Sequence, residues 1–282
     1  MRAPDELKAI VEEYLRRHPL WPELHGQEES MRYALVEDYL ERLEFWPELH
    51  GQRDSMRYAI EMGGKRVRPV IALAVGEACG AEPERILAAA AAMELVHNFS
   101  LVHDDMPEMD NDEERRGKPS VWAAYGPAKA LLAGDGLLAE AFRLASLYDT
   151  PQVARELAEA TLGMIGGQYL DTMERDTADL AEVHRLKTGR LFYGSVTTAL
   201  WAAGVPEAGQ APWRAFAEEL GMLFQVVHDI LDGDGFVLTH GVDGARRLAD
   251  EAAERARAAL DQVDADTSVL AGIVEDLAVR TV

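Results

Sequence analysis

Leu101-Val102-His103-Asp104-Asp105-Met106-Pro107-Glu108-Met109-Asp110 decides how the rest of the chain is read, with Asn111-Asp112-Glu113-Glu114-Arg115-Arg116-Gly117-Lys118-Pro119 directly after it. A largely apolar run ends abruptly in aspartates, and paired arginines follow. Carboxylates this close repel one another unless something positive lies between them. Hard oxygen donors on one short segment suit Mg²⁺, which keeps coordination positions for water or a phosphate. Taken alone, the run equally suits a solvated acidic loop after a buried helix.

The surroundings of this stretch read as helix. Ile86, Ala90, Met93, Phe99 and Val102 form an apolar face at helical spacing over residues 83–106. His97, Leu101 and Asp104 follow at i, i+4 and i+7, which sets an imidazole two turns below the first aspartate. Such a histidine by itself is an ordinary core residue. Upstream, Gly63-Gly64 breaks one helix and Pro69 opens the next, over 69–79. Lys65, Arg66 and Arg68 sit at that junction, as a phosphate site beside a helix start or as a plain basic connector. Downstream, helices are expected over 128–148, after Pro151, over 180–203 and from Pro212 to Gly233. Gly163, Gly166 and Gly167 lie inside the second of these, where glycine marks close packing or space kept for a ligand. The last of them ends in Gln225, His228, Asp229 and Asp232, so a second acidic helix end mirrors the first. An amphipathic helix over 245–263 and a final one over 268–282 complete the reading. No period-2 pattern demands a sheet, and no Pro-, Gly- or Ser-rich linker divides the chain. The expectation is an all-α, single-domain bundle of roughly ten or more helices.

Composition narrows the function. The 282 residues carry 50 acids against 28 bases, a formal charge of −22, which argues against nucleic acid and anionic membranes as partners. No apolar stretch is expected to reach the roughly 18 residues of a membrane span. Cys79 is the lone cysteine and residues 1–6 lack the apolar core of a signal peptide, so a cytoplasmic protein is expected. Trp21-Pro22-Glu23-Leu24-His25-Gly26-Gln27 recurs as Trp46-Pro47-Glu48-Leu49-His50-Gly51-Gln52, an offset of 25 residues with matching flanks. Two copies make a local duplication, not a solenoid. Residues 1–35 therefore read as an added helical arm and 36–282 as the domain proper.

Two acidic helix ends with basic residues between them suit one task. A diphosphate ester can be held by Mg²⁺ between carboxylates while bases neutralise the remaining oxygens, and the leaving diphosphate is thereby stabilised. Gly63-Gly64-Lys65-Arg66-Val67-Arg68-Pro69, Ser100-Leu101-Val102-His103-Asp104-Asp105 through Asp110, and Arg115-Arg116-Gly117-Lys118-Pro119 strongly resemble the motifs of the trans-isoprenyl diphosphate synthases (the polyprenyl synthetase family). Gly167-Gln168-Tyr169-Leu170-Asp171, Lys187-Thr188-Gly189 and Phe224-Gln225 fall in that family's order.

The resemblance, which runs from about residue 36 onward, implies an isoprenoid-synthase bundle around a deep apolar cavity, usually homodimeric. It implies Mg²⁺-dependent head-to-tail condensation of isopentenyl diphosphate with an allylic diphosphate, as in the short-chain farnesyl and geranylgeranyl enzymes. Lys65, Arg68, His97 and Arg116 would bind isopentenyl diphosphate. Arg115, Lys187 and Gln225 would bind the allylic diphosphate, with Lys187, Thr188 and Gln225 lining the ionising carbon. Asp104, Asp105, Asp110, Asp229 and Asp232 would hold metal. Phe99 and Ser100 would form the floor that sets a C15 to C20 product. Two departures stand out. His228 occupies the place of the family's first aspartate in the second motif, and imidazole suits Mg²⁺ poorly. No lysine follows Lys187, so the family's lysine-rich closing loop is missing. A terpene cyclase and a non-catalytic regulatory subunit of a prenyl synthase are the alternative readings.

Overall fold

Proline starts and glycine stops cut the chain into helices. The computed structural model describes residues 27–174 and 177–279. In chain order the helices are α1 (Gln27–Glu41), α2 (Gln52–Glu61), α3 (Val67–Ala78), α4 (Pro83–Asp104), α5 (Val121–Tyr125), α6 (Pro127–Ala145), α7 (Gln152–Met173), α8 (Leu180–His184), α9 (Arg190–Ala203), α10 (Ala211–Asp232), α11 (Phe236–Leu260) and α12 (Ser268–Val279). The architecture is all-α, as expected. The one sheet among the described residues is a hairpin of two-residue strands, β1 (Glu114–Arg115) and β2 (Lys118–Pro119). Arg116 and Gly117 between them have φ of 56° and 76°, the positive pair that a tight type I′ hairpin uses. That turn presents the paired arginines next to the end of α4.

α4 is the centre of the bundle. Alanines 88–92 make its middle narrow, so α3, α6 and α9 pack around it and few of its positions reach solvent. By length and composition it is apolar enough to cross a membrane. This corrects the expectation that no stretch reaches that length, but its apolar faces are covered by neighbouring helices rather than offered to lipid.

α1 runs across residues 35 and 36, and Tyr33, Ala34, Leu35, Val36 and Leu40 are all buried. Residues 1–26, which hold most of the first repeat copy, lie outside the described residues.

The helix expected over 180–203 contains a π-turn at Arg185–Gly189, between α8 and α9. An extra residue in one turn usually marks a place where packing overrides regular hydrogen bonding. A Cβ on Gly167 of α7 would stand 2.2 Å from the Lys187 backbone nitrogen, so only glycine lets these backbones touch. Gly221 of α10 presses on Gly189 from another side. Lys187 and Thr188 are thereby held by backbone contacts on both flanks. Beyond α10, the expected 245–263 helix begins earlier, at Phe236, with a kink at Gly241.

Candidate active site

Two cavities meet inside the bundle. One, of about 1090 Å³, is lined by Lys65, Arg68, His97, Arg115, Arg116 and Gln225 among others. The second, of about 830 Å³, is lined by Phe99, Ser100, Asp104, Met164, Ile165 and Leu191 with their neighbours. Arg68, His97, Leu101, Lys187 and Thr188 line both and form the junction. The structure therefore brings together residues spread from Lys65 to Gln225. Asp105, Asp110 and Asp232 line neither cavity.

The polar cavity gathers Arg68, His97, Arg115 and Arg116 on one part of its wall. Arg68 is partly buried, with its guanidinium 4.8 Å from the Phe192 ring centroid. Burial pushes its pKa down to about 10, with Glu94 opposing and Arg116 adding to the fall. Its Nε has no hydrogen-bond partner among the described residues. Buried donors are almost always paired, so an orphaned one in a cavity wall is a donor available to a ligand oxygen. His97 is held well below its ordinary pKa, first by burial and then by Arg68, Arg116, Arg66 and Arg115. It is neutral, able to donate and accept.

At the end of α4 the aspartates divide their work. Asp105 is 2% exposed and takes Arg115 Nε on both oxygens at 2.8 Å, with Arg115 Nη2 at 2.5 Å. It braces the arginine. Asp104 carries no such partner in its hydrogen bonds, and burial pushes its pKa up to about 6, with Lys187 and Arg115 opposing and Asp110 and Asp105 adding to it. Such a carboxyl has too little positive charge around it, which a divalent cation would supply. The Asp110 N–H bonds Asp104 O at 2.9 Å and the Asp112 N–H bonds Asp105 O at 3.0 Å, so the loop folds back over the helix end. Lys187 Nζ reaches Asp171 Oδ2 at 2.6 Å across the cavity rim.

The end of α10 is built differently. Asp229 is 1% exposed. Its Oδ1 accepts from Gln225 Nε2 at 2.7 Å and its Oδ2 from the Phe236 N–H at 2.8 Å, with His184 Nε2 at 3.4 Å. A Cβ on Gly235, whose φ is 48°, would fall 2.1 Å from that Oδ2, so the carboxylate fills the space of the missing side chain. Asp229 thus latches the turn after α10. His228 and Asp232 pair with each other at 3.1 Å and stay about half exposed. Each oxygen of Asp229 accepts a hydrogen bond from the protein, and the residue also lines the polar cavity. No group of three or more His, Cys, Asp or Glu forms a ready-made cation site among the described residues. Of the five aspartates expected to hold metal, Asp104 and Asp229 line a cavity, and hard carboxylate oxygens of this kind suit Mg²⁺.

Three functional neighbours were not anticipated: Glu94 bonds Arg66 Nη1 at 2.7 Å, His184 contacts Asp229, and Asp234 lines the polar cavity. Of these, Glu94 left a signal: an acid in the apolar run 86–96 has to be paired when buried. Asp171, quoted among the motifs but given no role, bonds Lys187.

A family model described as polyprenyl synthetase matches residues 52–241. The chain is 40% identical over 190 residues to a farnesyl diphosphate synthase from Geobacillus stearothermophilus, covering 62% of this chain and 64% of that one. It is 38% identical over 188 residues to a geranylgeranyl diphosphate synthase from Cyanophora paradoxa, covering 61% and 62%. The match thus spans 64% or less of the length of these two relatives. In structure it is similar to a geranyltransferase from Legionella pneumophila, with TM-score 0.78 and 29% identity over 98% of each chain.

Proposed function

The chain belongs to the polyprenyl synthetase family, and on that premise we propose that it condenses isopentenyl diphosphate head-to-tail with an allylic diphosphate. The carrying observation is the junction at which an arginine-lined cavity opens into an apolar one. A substrate with a diphosphate head and a hydrocarbon tail matches that pairing, and the product is read as a C15 to C20 all-trans prenyl diphosphate.

Lys65, Arg68, His97 and Arg116 hold the isopentenyl diphosphate. Arg115, fixed by Asp105, and Lys187 bind the allylic diphosphate and stabilise the charge that grows as its carbon–oxygen bond breaks. Mg²⁺, held by Asp104 and Asp110, supplies further neutralisation of that leaving group when bound. Thr188 and Gln225 present oxygen atoms toward the allylic carbon, where positive charge develops. The isopentenyl double bond attacks that carbon, and loss of a proton leaves the elongated diphosphate and free diphosphate. The apolar cavity keeps water from the cation.

Phe99 is read as the floor, with Ser100 beside it. Its ring meets His103 edge-on at 5.0 Å between centroids, and both line the apolar cavity. Phe99→Ala should lengthen the products; an unchanged length removes it from that role. A homodimer is also proposed. Leu131, Ile165, Tyr169 and Met173 are exposed on α6 and α7, yet they also line the apolar cavity. A second copy on that face would complete the cavity wall. The lone Cys79 is consistent with the cytoplasm.

One incubation tests the reading: purified chain, Mg²⁺, isopentenyl diphosphate and each allylic primer, with products sized. A prenyl diphosphate is expected. No product from any primer would favour the regulatory-subunit reading, which the altered second motif makes worth testing. A cyclic hydrocarbon from a primer alone would favour a cyclase.

A further inference from the structure

Arg66 stands between two residues assigned to phosphate, yet it cannot reach one. Its side chain is completely buried, and all three guanidinium nitrogens are engaged. Nε donates to Glu37 Oε1 at 2.5 Å, Nη1 to Glu94 Oε1 at 2.7 Å and Nη2 to the Ile60 carbonyl at 2.8 Å. Its backbone is left-handed, with φ 47° and ψ 30°, a conformation a non-glycine residue keeps only when its surroundings enforce it. Next to it, the Tyr33 hydroxyl donates to the Gly64 carbonyl at 2.9 Å. The Gly64 position also borders Arg116, whose Nη1 would stand 2.8 Å from a Cβ there. The turn that carries Lys65 and leads into Arg68 is therefore tied at adjacent residues to α1, through Tyr33 and Glu37.

We infer that Arg66 is a positioning residue and that α1, through Glu37 and Tyr33, sets the geometry of the pocket for the non-allylic diphosphate. This rests on the assignment of Lys65 and Arg68 to isopentenyl diphosphate. It gives α1 a task although no α1 residue has been assigned to the substrates. Glu94 serves the same turn from α4. It bonds Arg66 directly, and its charge opposes the fall in the pKa of both Arg68 and Arg116.

The test is calorimetric binding by the full chain, with isopentenyl diphosphate and a non-ionising allylic thiodiphosphate titrated separately. Glu37→Gln combined with Tyr33→Phe should weaken isopentenyl diphosphate about tenfold, because a misplaced turn misplaces both bases. The allylic analogue should bind within about twofold of wild type. Arg66→Lys keeps the charge but cannot span the three acceptors, and should show the same selective loss. Equal weakening of both ligands, or of neither, would overturn the inference. A wild-type chain that binds neither ligand is a separate failure, because it removes the reading of the site itself.

Discussion

The ends of α4 and α10 both terminate in aspartates beside the same cavity system, and they do opposite things. At α4 a buried aspartate braces an arginine, while its neighbour Asp104 is left with an uncompensated charge. At α10 the buried aspartate closes on its own chain through Phe236 and Gln225, and its neighbours His228 and Asp232 pair in solvent. Residue type and helical spacing are alike at the two ends. The partner each carboxylate finds decides whether it serves a ligand or the fold, and at α10 that partner is the short Gly233–Phe236 turn. A carboxylate that accepts from protein donors on both oxygens is held in place by the fold, whatever else it binds.

The largest effect expected from breaking this asymmetry is at Asp104. Asp104→Ala should lower kcat by about 10²–10³-fold with little change in folding, because it removes a ligand for the Mg²⁺ that would neutralise the leaving group. Steady-state rates together with thermal melts check both halves. Asp229→Ala should behave in the opposite sense, costing about 1–3 kcal/mol of stability by stranding the Phe236 N–H and the Gln225 amide. Denaturant unfolding measures it. Gly235→Ala should also destabilise without touching a charge, since its Cβ has no room beside Asp229.

A smaller effect concerns pH. The folded chain keeps His97 neutral, whereas an unfolded chain protonates it below about 6.5. Stability from this source is complete above that pH and falls as pH drops, by ~1.4 kcal/mol per unit. His97→Gln should make the acid limb of the stability curve shallower below about pH 6.5. His184, also held low by burial, should keep part of that slope. The smallest effect is at His228: His228→Asp should tighten Mg²⁺ only a few-fold, and no gain would count against the idea that the acidic end of α10 is short of a ligand.

Helix boundaries are legible in the sequence, whereas the asymmetry between the two helix ends depends on tertiary contacts. Pro83 and Pro127 opened helices in their first turns, and Gly204 and Gly233 closed others, because these residues act locally. The basic, acidic and Lys-Thr motifs named Lys65, Arg68, Asp104, Arg115, Arg116, Lys187 and Thr188 of the cavity lining. The π-turn at Lys187 was not legible, since it follows from Gly167 and Gly221 approaching from other helices. Identical pentapeptides in the two repeat copies are put to different uses, which the repeat itself does not announce. In the copies Ser30-Met31-Arg32-Tyr33-Ala34 and Ser55-Met56-Arg57-Tyr58-Ala59, Tyr33 bonds Gly64 while Tyr58 bonds Pro119. The fate of Asp229 needed the fold as well. Nothing in Val227-His228-Asp229-Ile230 announces that Gly235 will leave a hole that its carboxylate fills.

The direct test is a Mg²⁺ titration in the presence of inorganic diphosphate on two matched variants, Asp104→Asn and Asp229→Asn. Loss of more than about tenfold in Mg²⁺ affinity is expected for Asp104→Asn. Asp229→Asn should stay within about threefold of wild type while its melting temperature falls. A loss at Asp229→Asn as large as that at Asp104→Asn, with an unchanged melting temperature, would contradict the division of labour between the two helix ends.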